Sequence, residues 1–272
     1  MGIAAEMLAP SIGRRLIDAQ IAVSSRFDRA LLPPDYRIDG DTSFEAEFLT
    51  PYLYRGATVI DVGSGKQPSL SLTQRAALKI SVVGFDVSMS ELDAAPAGSY
   101  DATICADITE FVGDEKADFA ICSSLLEHVL DVDKALRGIA SMLKPGGVAL
   151  VFIPCRNTLF ARLNLLLPQK FKQKLLNYFF PKTAPSLGFR AFYDRCTPRQ
   201  IARLAKNNGL VPEKVRLYLY TGYFEIFTPV HVLWRLWQVG LRKLVDAEAS
   251  ESFSMALRKC GGAGRSAGID LV

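Results

Sequence analysis

Two glycines and two carboxylates in the first half of the chain have the spacing of a nucleotide-type binding turn. Gly63 and Gly65 follow an apolar run (ATVIDV), Asp61 lies just before them, and Asp86 ends the next β-branched run. Glycines after a strand allow a tight turn and let a ligand approach the backbone closely. A carboxylate at the end of the second strand can accept hydrogen bonds from a ribose diol, although a solvated turn carboxylate is the alternative.

The residues of the turn favour one class of ligand over another. A dinucleotide site prefers a third glycine three residues after the second, and Pro68 stands at that position here. Asp61 would repel a pyrophosphate, whereas it could receive an ammonium group. The turn therefore favours a ligand with a zwitterionic amino-acid tail, and it argues against an NAD-dependent oxidoreductase.

Apolar runs alternate with helix-like segments through the same half of the chain. Strands are predicted at 57–62, 81–86, 102–106, 119–123 and 148–153, and helices at 71–78 and 132–143. The segment Lys144–Gly147 (KPGG) is predicted as the turn that stops the second helix. Such alternation predicts a parallel sheet with right-handed crossovers.

The pattern is looser after Pro154. A helix is predicted at 159–178, broken by Pro168, and another begins with Thr197 as N-cap and Pro198 at its first position. Strands are predicted at 215–220 and 253–257, with an apolar helical insertion at about 223–245 between them.

Five segments, in order, resemble the motifs of class I S-adenosylmethionine-dependent methyltransferases, in particular the type 11-like members with Leu-Glu-His after the fourth strand. They are residues 59–65, 84–88, 106–108, 117–129 and 143–147. The resemblance implies a Rossmann-like α/β fold with a central, mostly parallel seven-stranded sheet flanked by helices, and a helical insertion before the last strand.

The same resemblance implies the cofactor S-adenosyl-L-methionine and its contact residues. Asp61, Gly63, Ser64 and Gly65 would hold the methionine part, Asp86 with Val87 the ribose, Asp107 and Ile108 the adenine, and Ser123 would lie near the sulfonium. Gln67 departs from the family, which often has a third glycine there, and we expect it to tune affinity without abolishing it.

His128 is the candidate catalytic residue. If the methyl acceptor is a hydroxyl, a base that removes its proton accelerates transfer, and histidine is the commonest such base. His128 follows the fourth strand, at the carboxyl edge where open sheets bind ligands. The alternative is a structural histidine bonded to backbone. His231, in the apolar insertion, is predicted to serve packing.

Charge is distributed unevenly. Residues 156–245 hold 16 Lys/Arg and 3 Asp/Glu, a net charge of 16 − 3 = +13, so the rest of the chain, with 16 basic and 25 acidic residues, carries −9. Basic segments rich in Leu, Phe and Trp can lie on an anionic bilayer. The alternative is a lid packed on the sheet with solvated lysines. Binding to nucleic acid is not favoured, because no RNA-binding module is visible.

These observations predict a helical cap at 1–54, a cofactor-binding core at 55–155, the rest of the sheet with basic lid-like or membrane-facing insertions at 156–260, and a flexible tail at 261–272. Five scattered cysteines without a C-x-x-C pair argue against disulfides and a metal site. With no signal peptide or spanning segment, we expect a cytoplasmic protein, peripheral on the inner membrane face. The predicted reaction is methylation of a small or lipid- or glycan-linked acceptor, with a catalytically silent binding domain or an RNA methyltransferase as alternatives.

Overall fold

A single seven-stranded sheet organises the computed structural model, which describes residues 12–168 and 189–261. The strands are β1 (Thr58–Val62), β2 (Ser81–Asp86), β3 (Ala102–Cys105), β4 (Ala117–Ser123), β5 (Leu143–Pro154), β6 (Leu210–Tyr218) and β7 (Ser252–Lys259). Their order in the sheet is β3-β2-β1-β4-β5-β7-β6. The first five run parallel and β7 lies antiparallel between β5 and β6, which confirms the predicted mostly parallel sheet.

Helices flank the sheet throughout the described residues. They are α1 (Ile12–Leu31), α2 (Gly40–Phe44), α3 (Thr50–Tyr52), α4 (Leu72–Leu78), α5 (Met89–Asp93), α6 (Val132–Met142), α7 (Leu159–Leu166), α8 (Pro198–Asn207) and α9 (Thr228–Val245). Side-chain caps start several of them. Ser71 and Gln74 form a capping box on α4, and Asp131 accepts from two backbone N–H groups of α6. The helical insertion predicted before the last strand is α9.

The core lies on both faces of the sheet. Neighbouring residues of β1 point to opposite sides, so Val59 belongs to one buried cluster and Ile60 to the other. Strand order reverses between β1 and β4, and open α/β sheets bind ligands outside the carboxyl ends of the strands at such a switch point. Within the described ranges, no helix has both the length and the apolar character of a membrane span.

The structure corrects four boundaries and contacts predicted from sequence. Strand β5 starts directly after α6, so Lys144–Gly147 belongs to a strand that pairs from Leu143 and not to a separate turn. Strand β6 begins at Leu210 instead of 215, because its half-buried charged residues, Glu213 and Lys214, interrupt the apolar pattern of a strand. The Thr197 side chain does not cap α8; its hydroxyl is buried and has no hydrogen-bond partner in the described part of the chain. Helix α7 ends at Leu166, and the rest of the helix predicted to 178 falls largely outside the described residues, as does nearly all of the predicted tail.

Candidate active site

The turn after β1 needs glycine at both predicted positions. Gly63 and Gly65 have φ angles of +78° and +46°, the left-handed region that side chains rarely adopt. A Cβ at Gly63 would lie 2.6 Å from the Leu125 side chain, and one at Gly65 would lie 3.1 Å from Asp86 Oδ2. The two glycines therefore bring the turn against the ends of β2 and β4.

Asp61 holds this turn from behind. Its carboxylate accepts hydrogen bonds from the Ser69 backbone N–H at 2.8 Å and from the Ser69 hydroxyl at 2.7 Å. The side chain is fully buried, and burial raises the pKa of its carboxyl. Asp61 is not among the residues that line the cavity beyond the turn, and through Ser69 it positions the backbone of the site.

Tyr100 is a second support of the turn, which the sequence did not indicate. Its hydroxyl donates to the Gly65 carbonyl at 2.7 Å and lies 2.7 Å from the Ser64 hydroxyl. The ring packs over Gly84, where a Cβ would lie 2.7 Å from a ring carbon. Burial raises the pKa of Tyr100 to about 12, so the hydroxyl stays a donor at physiological pH. No local motif marks this residue, because it reaches the turn only through the pairing of β2 with β3.

Asp86 ends β2 at the mouth of the cavity. Its Oδ1 accepts from the Ser88 backbone N–H at 2.9 Å, which leaves the second oxygen beside Gly65. Burial raises the pKa of this carboxyl, and the nearby Glu91 adds to the rise. Glu91 in turn pairs with Lys66 of the turn at 3.2 Å. A partly buried acceptor oxygen in this place suits a hydroxyl donor.

Asp107 and Ile108 follow β3 on the neighbouring wall. Asp107 Oδ1 accepts from the Thr109 backbone N–H and hydroxyl, each at 2.8 Å, so its other oxygen has no such restraint. Ile108 is buried. A Cβ added at Gly138 of α6 would lie only 2.2 Å from the carbonyl oxygen of Ile108. The glycine in α6 thus allows this loop to sit directly on the helix.

One cavity of about 1100 Å³ unites the predicted site residues. Gly63, Ser64, Gly65, Asp86, Val87, Asp107, Ile108, Ser123 and His128 all line it. Its wall also includes residues that the sequence did not indicate, from α2 and from the segment before α8: Asp41, Phe44, Phe189 and Phe192. The cavity therefore combines polar groups on one side with aromatic rings on the other.

The position of His128 fixes its tautomer. The Nδ1 atom lies 3.1 Å from the carbonyl oxygen of Arg190. A carbonyl only accepts hydrogen bonds, so Nδ1 carries the proton and Nε2 keeps its lone pair. Burial lowers the pKa of His128, which keeps the ring neutral near pH 7. The His128 ring is thus hydrogen-bonded to the backbone, as predicted for a structural histidine. It also keeps a basic nitrogen, Nε2, that the Arg190 carbonyl does not occupy.

Glu127 lies behind His128 in the same short 3₁₀ turn. Its Oε1 is 3.7 Å from His128 Nε2, and its buried Oε2 has no hydrogen-bond partner among the described residues. Burial raises the pKa of this carboxyl to about 8. The backbone carbonyl of Glu127 accepts from the N–H groups of Phe192 and Tyr193, which fastens the aromatic wall to the turn.

The family of the chain follows from comparison with known proteins. Residues 41–215 match the model of a family described as a methyltransferase domain. The chain belongs to this methyltransferase family. A protein of Cupriavidus pinatubonensis named ubiquinone biosynthesis O-methyltransferase is 26% identical over 180 residues, 64% of this chain and 68% of that protein. A protein of the same name from Chelativorans sp. is 32% identical over 104 residues, 36% of this chain and 40% of the relative.

Solved structures agree on the fold of the methyltransferase. A putative sarcosine dimethylglycine methyltransferase from Galdieria sulphuraria superposes with a TM-score of 0.51 at 17% identity, covering 81% of this chain and 85% of that one. The [4+2]-cyclase SpnF superposes with a TM-score of 0.53 at 17% identity, covering 94% and 98%. One of the two is described as a cyclase, so the fold alone does not name the reaction. Fold and family together identify a class I, S-adenosylmethionine-dependent methyltransferase.

The residues of the cavity fit this cofactor. The two glycines let the turn pack closely against Leu125, Glu91 and Asp86, and both glycines line the cavity. Asp86 and Asp107 are hydrogen-bond acceptors at the cavity wall, and their carboxylates suit the donors of a ribose and an adenine amino group. A diphosphate would meet only carboxylates at these positions.

Proposed function

We propose that the methyltransferase methylates a hydroxyl oxygen of a small or lipid-linked acceptor, with His128 as general base. The observation that carries this proposal is the tautomer of His128, whose Nε2 lone pair is free because the Arg190 carbonyl occupies Nδ1. A neutral imidazole at the cavity has little to do in methylation of a thiolate or of an already unprotonated amine, whereas a hydroxyl must lose a proton.

Each group of cavity residues has a separate role in this proposal. The cofactor, when bound, supplies an electrophilic methyl group on a sulfonium. The turn Gly63–Gly65 and Asp61 behind it shape the site for the amino-acid end. Asp86 with Val87 takes the ribose, Asp107 with Ile108 the adenine, and Ser123 lies beside the reacting centre. His128 Nε2 accepts the proton of the acceptor hydroxyl, so that the oxygen attacks the methyl group as a nucleophile.

The acceptor side of the cavity favours an apolar or aromatic molecule. The walls around His128 include the rings of Phe44, Phe189 and Phe192, and the Phe189 ring stands edge-on to His128 with centroids 6.3 Å apart. Aromatic walls bind flat apolar groups through area burial and edge-to-face contacts. The names of the two relatives, both O-methyltransferases, support oxygen as the methylated atom.

We further propose that the protein acts at the cytoplasmic face of a membrane. The charge of +13 over residues 156–245 supports attraction to anionic lipid. All five cysteines are free thiols, and three of them are buried, which accords with a reducing compartment. An enzyme at that surface would meet a lipid-linked acceptor without extracting it fully into water.

The test is methyl transfer from labelled S-adenosylmethionine to a panel of phenols and catechols. We expect label in an ether product, and a loss of kcat of about 10²–10⁴-fold in His128→Gln. Titration with S-adenosylhomocysteine serves as the control, because the substitution should leave cofactor affinity within about twofold. Transfer to amines or thiols alone, or full activity of His128→Gln, would show that His128 is structural.

A further inference from the structure

Helices α1 and α9 pack against each other through polar side chains. The buried polar members of this interface are Ser24, Asp28, His231, Arg235 and Gln238, and the buried ring of Trp234 packs beside His231. Asp28 accepts from Arg235 Nε at 2.9 Å and lies 2.8 Å from His231 Nε2, while Arg235 also donates to Gln238 at 2.8 Å. Burial opposes the charge of Asp28, but its bonds to His231 and Arg235 keep the pKa of the carboxyl below its usual value. The interior of the helix pair is therefore an ion-pair network.

Several large apolar side chains of the same two helices are exposed to solvent, although Trp234 is buried together with the polar group. Exposed residues form what we call the outer face: Leu16, Ile17, Val23, Leu31, Val230, Leu233, Leu236, Trp237 and Leu244. Leu244 is 82% and Trp237 58% exposed. On α9 the spacing 230, 233, 237 and 244 follows the helical period, so these residues lie along one side. The amphipathic pattern of the pair is inverted relative to that of an ordinary surface helix.

A second cavity, of about 770 Å³, opens at the end of this outer face. It is lined by Trp237, Leu241 and Leu244 of α9 and by three cations, Arg162, Arg199 and Lys243. We call it the basic cleft. Its one acidic lining residue, Glu248, accepts a hydrogen bond from the Arg199 backbone N–H, and no salt bridge within the described residues uses any of the three cations. The basic cleft thus joins an excess of positive charge to an apolar floor.

Positive charge dominates around the outer face. Helices α1 and α9 together contain seven Lys/Arg (14, 15, 26, 29, 235, 242, 243) and two Asp (18, 28), a net charge of 7 − 2 = +5. Two copies of such a surface would repel each other, which disfavours self-association. An anionic bilayer complements both properties, because its headgroups attract the cations and its acyl boundary accepts the exposed apolar side chains.

We propose that the outer face docks on an anionic phospholipid bilayer, and that the basic cleft receives the phosphate headgroup of one lipid in that bilayer. This inference rests on the proposed membrane location and deepens it by naming the surface. The polar interface between the helices explains how the inverted pair holds together before docking. The site cavity and the docking surface use different residues, so each can be tested without the other.

Flotation with vesicles tests the docking directly. Full-length protein is mixed with vesicles of phosphatidylcholine containing 30 mol% phosphatidylglycerol, on the order of a physiological anionic fraction, or with phosphatidylcholine alone. We expect binding to the anionic vesicles and its loss in high salt. Leu244→Ser should lower the partition coefficient by about tenfold, while Val112→Ser, at an equally exposed residue (82%) far from α9 in the chain, should not change it.

The cleft is tested by charge removal. The triple variant Arg162→Gln, Arg199→Gln, Lys243→Gln should lose on the order of 100-fold in partition to anionic vesicles at low salt. The control replaces three exposed cations elsewhere, Arg55, Lys79 and Lys116, with Gln and should lose clearly less. Equal losses in the two triple variants would overturn the headgroup site, leaving only general charge attraction. If inorganic phosphate alone displaced the protein from the vesicles, the basic cleft would be assigned to a free anion instead of a lipid headgroup.

Tryptophan fluorescence locates the contact. The chain has two tryptophans, the buried Trp234 and the exposed Trp237. Anionic vesicles should shift the emission to shorter wavelength in the wild type and not in Trp237→Phe. Flotation without that shift would place the contact elsewhere and overturn the proposal. A concentration-dependent shift without vesicles would assign the face to a second copy, and binding to RNA in place of vesicles would assign it to nucleic acid. Titration with S-adenosylhomocysteine in the absence of vesicles reports the methyltransferase site separately.

Discussion

The sheet and the α1–α9 pair bury opposite kinds of side chain. In β1 and β4 the buried residues are almost all apolar, Asp61 excepted, and Ser123 at the carboxyl end of β4 lines the cavity. In the helix pair, Asp28, His231 and Arg235 are buried while leucines face outward. The sheet draws its stability from apolar area removed from water, and the pair draws its geometry from directional bonds between charged groups.

The difference shows how each region meets its ligand. A sheet stabilised by its own core can present fixed carboxylates to a small polar molecule. A buried ion pair stabilises little in net terms, because desolvation offsets the attraction, but it fixes one arrangement of the helices. The apolar area of the pair then remains available to another surface. Four substitutions test whether this division is correct.

The largest effect is expected from Asp28→Ala. The substitution leaves the Arg235 guanidinium buried without its carboxylate, and such losses cost about 3–5 kcal/mol. Urea denaturation measures the change. Replacing Asp28 and Arg235 together by Leu should recover much of the stability, since no charge is then left uncompensated. A single-variant loss below about 1 kcal/mol would mean that water reaches the network.

Asp86→Ala should act on binding and not on folding. Loss of the acceptor oxygens at the ribose position should weaken S-adenosylhomocysteine binding by about 10- to 100-fold, the range for a hydrogen bond to a charged group. Calorimetric titration measures the affinity. Asp114→Ala, an exposed carboxylate paired only with Lys116, is the matched control and should bind normally. Unchanged affinity of Asp86→Ala would contradict the assignment of the ribose.

Glu127 should make stability depend on pH. Its pKa is about 8 in the folded protein against 4.5 as the ordinary value, so the folded state holds a proton that the unfolded state releases. Stability from this group is therefore present at pH 4 and falls as the pH rises to about 8. In Glu127→Gln the decline between pH 5 and 8 should shrink by about 3–4 kcal/mol. Parallel curves for the two proteins would show that the carboxyl is already ionised when folded.

The smallest effect is expected from Tyr100→Phe. The ring still covers Gly84, but the bonds to the Gly65 carbonyl and the Ser64 hydroxyl are lost, at a cost of about 1 kcal/mol. Affinity for S-adenosylhomocysteine should fall several-fold, as the turn loses one restraint. Tyr54→Phe, at the other end of the sheet, should leave the affinity unchanged. A larger loss from Tyr54→Phe would mean that sheet stability, and not the turn, controls affinity.

The sequence alone determined the sheet and most of the cofactor site. Strands buried on both faces read as apolar runs, and residues that line the cavity lie at or just after the ends of those strands, as Gly63, Asp86 and Asp107 do. Local order along the chain is enough here, because parallel strands bring their carboxyl ends to one edge. The same logic placed His128 at the cavity.

Only the tertiary structure decided the features that depend on distant pairs. Asp61 faces Ser69 instead of the cavity, Tyr100 reaches Gly65 across the sheet, and the Arg190 carbonyl selects the tautomer of His128. The inverted packing of α1 on α9 joins residues about 200 positions apart, such as Asp28 and Arg235. Helical periodicity identifies the apolar side of a helix, but it does not determine whether that side faces the core. Which side is buried depends on the partner helix, because that helix supplies the charged groups that pair across the interface.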